Sequence, residues 1–395
     1  MEYLDFPVKK IREGLTEVFV PDLDFFEKPF PSYLPVFFNP IMELNRDFAV
    51  LVLQVFQSEN RRWLDVCEPL AGCGIRGIRF AKEVEGVKKV VVNDINLKAY
   101  MLTQKNILLN KVENFVEAYN EDANFLLTKY AKKGGRFDVV DLDPYGSPIP
   151  YLNSALRATK SEGLLCMTAT DMAVLCGVHQ KACLRHYGAK PLRTEYCHEL
   201  AVRILFGSVA VSAAKIDLAV EPVFCHSTDH YIRVYVKVLR GAKKADQTLR
   251  QLGYIFHCFR CLNREVFHEI FPDFKLKCQV CGSLMDFSGP LWLGKLWEKE
   301  FVKKMVETVD KKILGQKKRI TKILERILEE VDGNPTYYVL SHLCDLINVP
   351  VPPLTIILER IRKEGYKAYP THFNSQGIRT DIPVETLKRI LSKTR

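Results

Sequence analysis

No apolar run in this 395-residue sequence approaches the ~20 residues needed to cross a bilayer, and no segment repeats or falls to low complexity. The opening residues, MEYLDFPVKK, carry acidic side chains and lack the apolar core of a secretory leader, so a cytoplasmic location is expected. Membrane-spanning, solenoid and disordered classes are thereby set aside. What remains is an ordinary globular composition, 47% hydrophobic, in a chain long enough for two domains, one of them large. The formal net charge of +10 suits a polyanionic partner. Basic clusters recur at Lys9–Lys10–Arg12, Lys132–Lys133–Arg136, Lys317–Lys318–Arg319 and Arg360–Arg362–Lys363. Each alone reads as solvated surface; together they favour nucleic acid, and no obligate protein partner is indicated.

From about residue 50 to 170 the hydrophobic pattern alternates between helix and strand periods, as in a parallel α/β sheet. Strands are predicted at Trp63–Cys67, Lys89–Asn93, Phe115–Tyr119, Phe137–Leu142 and Leu164–Thr168. The helices between them are predicted at Asn45–Gln57, Ile75–Glu83, Leu97–Leu109, Ala123–Tyr130 and Tyr151–Ala158. After a helical stretch, Glu195–Ala214, two strand patterns (Leu218–Cys225 and Tyr231–Val238) follow with a short turn between them. They predict an antiparallel hairpin closing an otherwise parallel sheet, an ending foreign to dehydrogenase folds. A boundary near Gly241–Lys244 divides a first domain, 1–242, from a second, 243–395. In the second, Trp297, Phe301, Met305, Val309 and Ile313 lie four apart and predict one buried helical stripe. Two short helices split by Pro350–Pro353, then a strand-like piece from Tyr366 to Phe373, suggest a winged-helix-like end.

The first strand runs into Glu68-x-x-x-Gly72-x-Gly74, where glycines let the backbone turn tightly and approach a ligand. Asp94 ends the next strand about 20 residues on, where a carboxylate can bind both ribose hydroxyls. Asp122 ends the third, able to accept from an adenine amine, with the Ala123 backbone beside it. Three carboxylates at successive strand ends fall on one sheet edge, where open α/β folds bind ligands. NAD, which would need a loop that holds a pyrophosphate, is the rival cofactor. S-adenosylmethionine (SAM) has no phosphate, and its carboxylate could pair with Arg46 or Arg76 through a bidentate fork. SAM is the favoured cofactor.

The fourth strand ends in Asp143-Pro144-Tyr145-Gly146, similar to the (D/N/S)-P-P-(Y/F) motif of amino methyltransferases. A guanine exocyclic amine is a poor nucleophile because its lone pair is delocalised into the ring. Hydrogen bonds from it to the Asp143 carboxylate and the Pro144 carbonyl would favour a pyramidal nitrogen aimed at the methyl, and Asp143 could take the proton. Tyr145 could wall or stack on the base, with Phe37 as a second aromatic. A turn merely capping a strand is the plainer reading of the same four residues.

With these residues in hand, the chain resembles the tRNA (guanine-26-N2)-dimethyltransferase family in its archaeal form. The likeness is carried by Pro35-Val36-Phe37-Phe38-Asn39-Pro40, Asn45-Arg46-Asp47, Gly74-Ile75-Arg76-Gly77-Ile78-Arg79-Phe80, Asn93-Asp94-Ile95 and Asp141-Leu142-Asp143-Pro144-Tyr145-Gly146-Ser147-Pro148. It continues through Thr168-Ala169-Thr170-Asp171, Gly289-Pro290-Leu291-Trp292-Leu293-Gly294, Thr371-His372-Phe373 and Gly377-Ile378-Arg379-Thr380. The resemblance implies a class I SAM-methyltransferase domain, Rossmann-like, with a seven-stranded sheet ending in an antiparallel hairpin, plus a smaller α+β tRNA-binding domain. It implies addition of one, then two, methyls to N2 of guanine 26 in tRNA. Arg46, Arg76, Asp94, Asp122 and Ala123 match cofactor contacts, Asp143 the catalytic aspartate, and Phe37 and Tyr145 the base site. Two departures stand out: Tyr145 replaces the usual Phe, placing a hydroxyl at the base site, and Glu68 replaces the Asp of many relatives.

Of the 12 cysteines, most are scattered among apolar residues and read as buried thiols. Cys258-x2-Cys261 and Cys278-x2-Cys281 differ: two pairs 16 residues apart suit a four-cysteine zinc ribbon over about 254–286. With four thiolates and no open position, the zinc would be structural; two disulfides or simple buried thiols are the alternatives. Some members of the resembled family lack these cysteines. His179, His186, His198, His226, His230 and His257 show no metal-ligand spacing with carboxylates, and Cys176 and Cys183 have no evident base partner. Asp171 reads equally as a base-orienting group and as a loop cap. Two rival readings stand beside the tRNA enzyme: the same chemistry on rRNA or DNA amines, and a zinc-ribbon RNA-binding protein with a vestigial methyltransferase fold.

Overall fold

The computed structural model describes residues 4–26, 33–269 and 276–393. Residues 270–275 of the expected ribbon segment lie outside the described residues. The chain begins with a hairpin that hydrophobic periodicity does not reveal. Strands β1 (Val8–Glu13) and β2 (Thr16–Pro21) pair antiparallel from Val8 opposite Pro21 to Glu13 opposite Thr16. Helix α1 (Glu43–Asn60) then leads into β3 (Leu64–Glu68), α2 (Ile75–Glu83), β4 (Val87–Asn93), α3 (Leu97–Asn110) and β5 (Val116–Tyr119). They are followed by α4 (Ala123–Tyr130), β6 (Phe137–Leu142), α5 (Ile149–Ala158) and β7 (Thr159–Ala169). The boundaries of α2, α4 and β6 coincide with those expected, because an abrupt change of chemistry marks each. The Asp122 carboxylate, for example, accepts from the Phe125 N–H at 2.9 Å and caps α4.

After the short helices α6 (Met172–Leu175) and α7 (Gln180–Tyr187) come α8 (Cys197–Ala214), β8 (Leu218–Thr228) and β9 (Tyr231–Arg240). The sheet order is β5-β4-β3-β6-β7-β9-β8. Strands β3 to β7 pair in parallel, and their runs of valine and leucine are buried on both faces. Only two residues separate β8 from β9, too few for a crossover, so this neighbouring pair is antiparallel. The chain travels outward from β3 through β4 to β5, then returns to lay β6 on the other side of β3. That reversal opens a crevice at the carboxyl ends of β3 and β6, where α/β sheets take their ligands.

By compactness the chain forms two units, each discontinuous in sequence. One comprises Met1–Thr168, Tyr235–Val238 and Glu300–Leu324; the other comprises Ala169–Val234, Leu239–Lys299 and Glu325–Arg395. Helix α8 has the length and hydropathy of a membrane-spanning helix, contrary to the expectation that no run approaches that length, and most of it is buried inside the protein. Its buried Glu199 accepts from Arg203 at 2.8 Å one turn on, a pairing suited to a protein core.

Beyond α9 (Ala242–Leu249), strands β10 (Leu252–His257), β11 (Arg264–Phe267) and β12 (Asp286–Trp292) form a small antiparallel sheet in the order β11-β10-β12. The expected apolar stripe is broken. Helix α10 spans only Lys299–Val309, so Trp297 precedes it, and Ile313 is 60% exposed in the turn before α11 (Lys317–Glu330). The end of the chain joins β13 (Tyr338–Val339), α12 (Leu340–Ile347), α13 (Leu354–Lys363), β14 (Ala368–Pro370), β15 (Gly377–Thr380) and α14 (Val384–Ser392) around one apolar core. Buried Arg379 ties this region together, donating to Glu330 at 2.6 Å and to Glu199 at 3.0 Å. Burial works to raise the Glu199 carboxyl, but Arg379 and Arg203 outweigh it and hold the group down at about 2.

Candidate active site

The loop after β3 is shaped by close approach. Gly72 sits at φ +57°, and a side chain there would meet the Phe37 carbonyl oxygen at 2.9 Å. The Gly72 N–H donates to Asp94 Oδ2 at 2.8 Å, while Asp94 Oδ1 accepts from the Asn96 N–H at 2.9 Å. Both carboxylate oxygens thus anchor the loop and the start of α3. Burial raises the Asp94 carboxyl above its ordinary range, against these two N–H donors. Gly74, at φ +75°, begins α2.

Arg76, 2% exposed, is the electrostatic centre of the crevice. Its Nη1 donates to Asn45 Oδ1 at 2.8 Å, its Nη2 pairs with Asp143, and its Nε lies 3.3 Å from Glu68. Asp141 adds a third carboxylate at 4.0 Å. Three acids around one guanidinium leave an excess of negative charge. Burial, with Asp141 and Asp143 adding to it against the pull of Arg76, pushes Glu68 up to about 8. Glu68 Oε2 also accepts from the Gly77 N–H at 2.8 Å, joining the end of β3 to α2.

Arg46 comes from the first turns of α1, and Glu13 grips it from β1: Nε and Nη2 reach the two carboxylate oxygens at 2.7 and 2.6 Å. Phe37 and Tyr145 meet edge to face with centroids 6.3 Å apart, and Tyr145 is 77% exposed. A cavity of about 260 Å³ unites Phe37, Arg46, Glu68, Gly72, Arg76, Asp94, Asp143, Pro144 and Tyr145. Gly74, Asp122 and Ala123 do not line it. Asp122 is occupied in capping α4, although Asn120 Nδ2 donates to the Asp94 carbonyl at 2.8 Å and links the neighbouring strand ends. Tyr151 lines the same cavity without any signal in the sequence, and the supporting roles of Glu13, Asn45 and Asp141 are likewise new. Of these, only Asp141 stands out in the sequence, as an acid inside the apolar run Val139–Val140–Asp141–Leu142 that needs a partner when buried.

The four paired cysteines converge. Their sulfurs lie within 4.8 Å of one another, with Cys258–Cys281 and Cys261–Cys278 at 3.5 Å. A disulfide would need ~2.05 Å, whereas a tetrahedron of ~2.3 Å zinc–sulfur bonds has edges of about 3.8 Å. The two knuckles repeat one geometry. Cys258 N–H donates to the Asn263 carbonyl at 2.9 Å and Cys278 N–H to that of Ser283 at 2.8 Å. Each turns on a residue of positive φ, Leu262 and Gly282. Four sulfurs so arranged fit a structural zinc ion held by Cys258, Cys261, Cys278 and Cys281.

Of the histidines, His198 brings a ligand atom within 4.8 Å of those of Cys176 and Cys197, a group that includes no carboxylate. Elsewhere His226 and His257 are buried, and burial drives His257 down to about 3. Asp171 stands at the start of α6 and accepts from the Tyr187 hydroxyl at 2.7 Å.

A reversed parallel sheet with a terminal hairpin, a glycine loop after its first strand and an Asp-Pro-Tyr turn after its fourth defines a class I methyltransferase fold. The family model described as N2,N2-dimethylguanosine tRNA methyltransferase matches residues 14–392, and the chain belongs to that family. The chain is 39% identical to a tRNA (guanine(26)-N(2))-dimethyltransferase of Methanobrevibacter smithii, covering 98% of each chain. It is likewise 39% identical to a tRNA (guanine(26)-N(2)/guanine(27)-N(2))-dimethyltransferase of Aquifex aeolicus, over 96% of this chain and 94% of that one. Among solved structures it is similar to Trm1 from Pyrococcus horikoshii in complex with S-adenosyl-L-methionine, with a TM-score of 0.86 and 36% identity. That match covers 97% of this chain and 99% of the other.

Proposed function

We propose that this chain methylates the exocyclic N2 of guanine 26 in tRNA with SAM, giving N2-methyl- and then N2,N2-dimethylguanosine. The observation that carries the reading is the single cavity holding Asp143, Pro144, two aromatic rings and the Gly72–Asp94 loop in a chain of this family. SAM, when bound, supplies an electrophilic sulfonium methyl. Asp94 and the Gly72 loop, with Asp122 and Ala123 beyond them, suit the adenosine end. Arg46 suits the methionine carboxylate, because its bonds to Glu13 and Asn39 use only Nε and Nη2, whereas all three nitrogens of Arg76 meet Asn45, Glu68 or Asp143. Arg76 thereby also fixes the carboxylate that must receive the amine.

Asp143 and the Pro144 carbonyl accept the amine hydrogens, sharpening the nitrogen lone pair and giving the departing proton an acceptor. Phe37 and Tyr145, edge to face at the mouth, suit a base extruded from the RNA stack. Positioning supplies most of the remaining rate. The second segment, 243–395, with its zinc-type cysteine site, is the part assigned to gripping tRNA, and the excess of basic residues predicts binding that weakens steeply with salt.

The test is turnover of labelled SAM on an unmodified tRNA transcript with guanine 26, beside one with adenine there, read by nucleoside mass analysis. Dimethylguanosine from the first alone is expected; product from neither would overturn the reading. Asp143→Asn should lower the rate by about 10²–10⁴ while S-adenosylhomocysteine still binds.

A further inference from the structure

The N-terminal hairpin places one acid where the cofactor reading needs an oriented cation. Glu13 ends β1, is 5% exposed and meets Arg46, itself 5% exposed, in a two-pronged ion pair of 2.7 and 2.6 Å. The hairpin tip cannot drift. Glu83 Oε1 accepts from the Leu15 N–H at 3.1 Å and from the Thr16 hydroxyl at 3.0 Å. Gly14 packs so closely there that a side chain would meet Glu83 at 2.6 Å. Glu83 is fixed in turn by fully buried Arg79, which also reaches Asp47 at 2.7 Å and Glu13 at 3.5 Å. A buried chain of alternating charge therefore runs from α2 through the hairpin tip to a guanidinium lining the cavity.

We infer that Glu13 is a positioning residue for the cofactor's carboxylate: it holds Nε and Nη2 of Arg46 so that the remaining edge, Nη1, is presented to the cavity. The Asn39 carbonyl takes a further bond from Nη2 at 3.2 Å and restricts the fork in the same sense. Without Glu13, the guanidinium has other carboxylates within its own cavity, Glu68 and Asp143, and would collapse onto them in place of the ligand. Orientation, in this account, outweighs the partial cancellation of Arg46's charge by its partner. The inference rests on the proposed SAM site and adds a residue to it.

The experiment compares two probes that differ at the carboxylate. S-adenosylhomocysteine carries it; 5′-methylthioadenosine keeps the adenosine and thioether but lacks the amino-acid tail. Glu13→Gln should weaken the first about tenfold, the usual scale for leaving a charged hydrogen-bonding partner unpaired, and leave the second unchanged. In turnover, KM for SAM should rise with kcat nearly constant. Glu13→Asp keeps the charge but is one methylene too short for both prongs, and should fall between Gln and wild type with an undisturbed fold. Equal weakening of both probes in both variants would mean a merely structural role and overturn the inference, as would no change in either. If wild type bound neither probe, the SAM site itself would be wrong and the inference would fall with it.

Discussion

Gly72→Ala tests whether the cofactor loop is defined by its approach to the Phe37 backbone. At φ +57° an alanine sits in the left-handed region, at a cost of about 1–2 kcal/mol. Its Cβ would also lie 2.9 Å from the Phe37 carbonyl oxygen, a backbone atom that must give way. A strained backbone of this kind adds about 1 kcal/mol or more, for a total near 2–3 kcal/mol. Gly134→Ala is the matched control in the same unit, with φ +87° and nothing within 4 Å of the added methyl. It carries the left-handed cost alone, about 1–2 kcal/mol. Chemical unfolding of both variants should therefore separate them by roughly 1 kcal/mol. Calorimetric titration with S-adenosylhomocysteine should show weakened binding for Gly72→Ala only, because the shifted loop moves the N–H that Asp94 holds. If the two variants lose equal stability and both bind normally, the close approach does not shape the site.

Burial raises Glu68 from 4.5 to about 8, so the folded state binds its proton more tightly than the unfolded state. Its stabilising share is complete below about pH 4.5 and is lost as the pH rises through about 8. Glu68→Gln mimics the protonated form and should gain in melting temperature relative to wild type across that window; a pH-independent difference would refute this. Metal analysis of purified protein should find stoichiometric zinc that is lost in Cys278→Ser and retained in Cys344→Ser, whose thiol is buried in another core. Absence of zinc from the wild type would refute the four-thiolate site.

Much of the site is legible in the sequence, and for a local reason. Strand ends, tight glycine turns and acidic caps are written in adjacent residues, so Glu68, Gly72, Asp94 and Asp143 can be placed on one sheet edge. The cysteine knuckles announce themselves in the same way. The apolar stripe from Trp297 to Ile313 misleads because four-residue spacing continues past Val309 although the helix does not. The N-terminal hairpin escapes notice because each strand is only six residues long and half of its alternation is polar.

What tertiary structure alone decided is the partnership of charges distant in sequence. Nothing local announces that Glu13 will hold Arg46, or that Arg76 will gather Glu68, Asp141 and Asp143. Nor does it announce that Arg379 will lie between Glu199 and Glu330. A buried charge must find an opposite one, but the sequence states only the need. Which partner meets it depends on where the sheet reverses and where the hairpin tip lodges. Adjacent residues set the chemistry at the strand ends; the fold sets which carboxylate each of the two cavity arginines meets, Glu13 for Arg46 and Glu68 with Asp143 for Arg76.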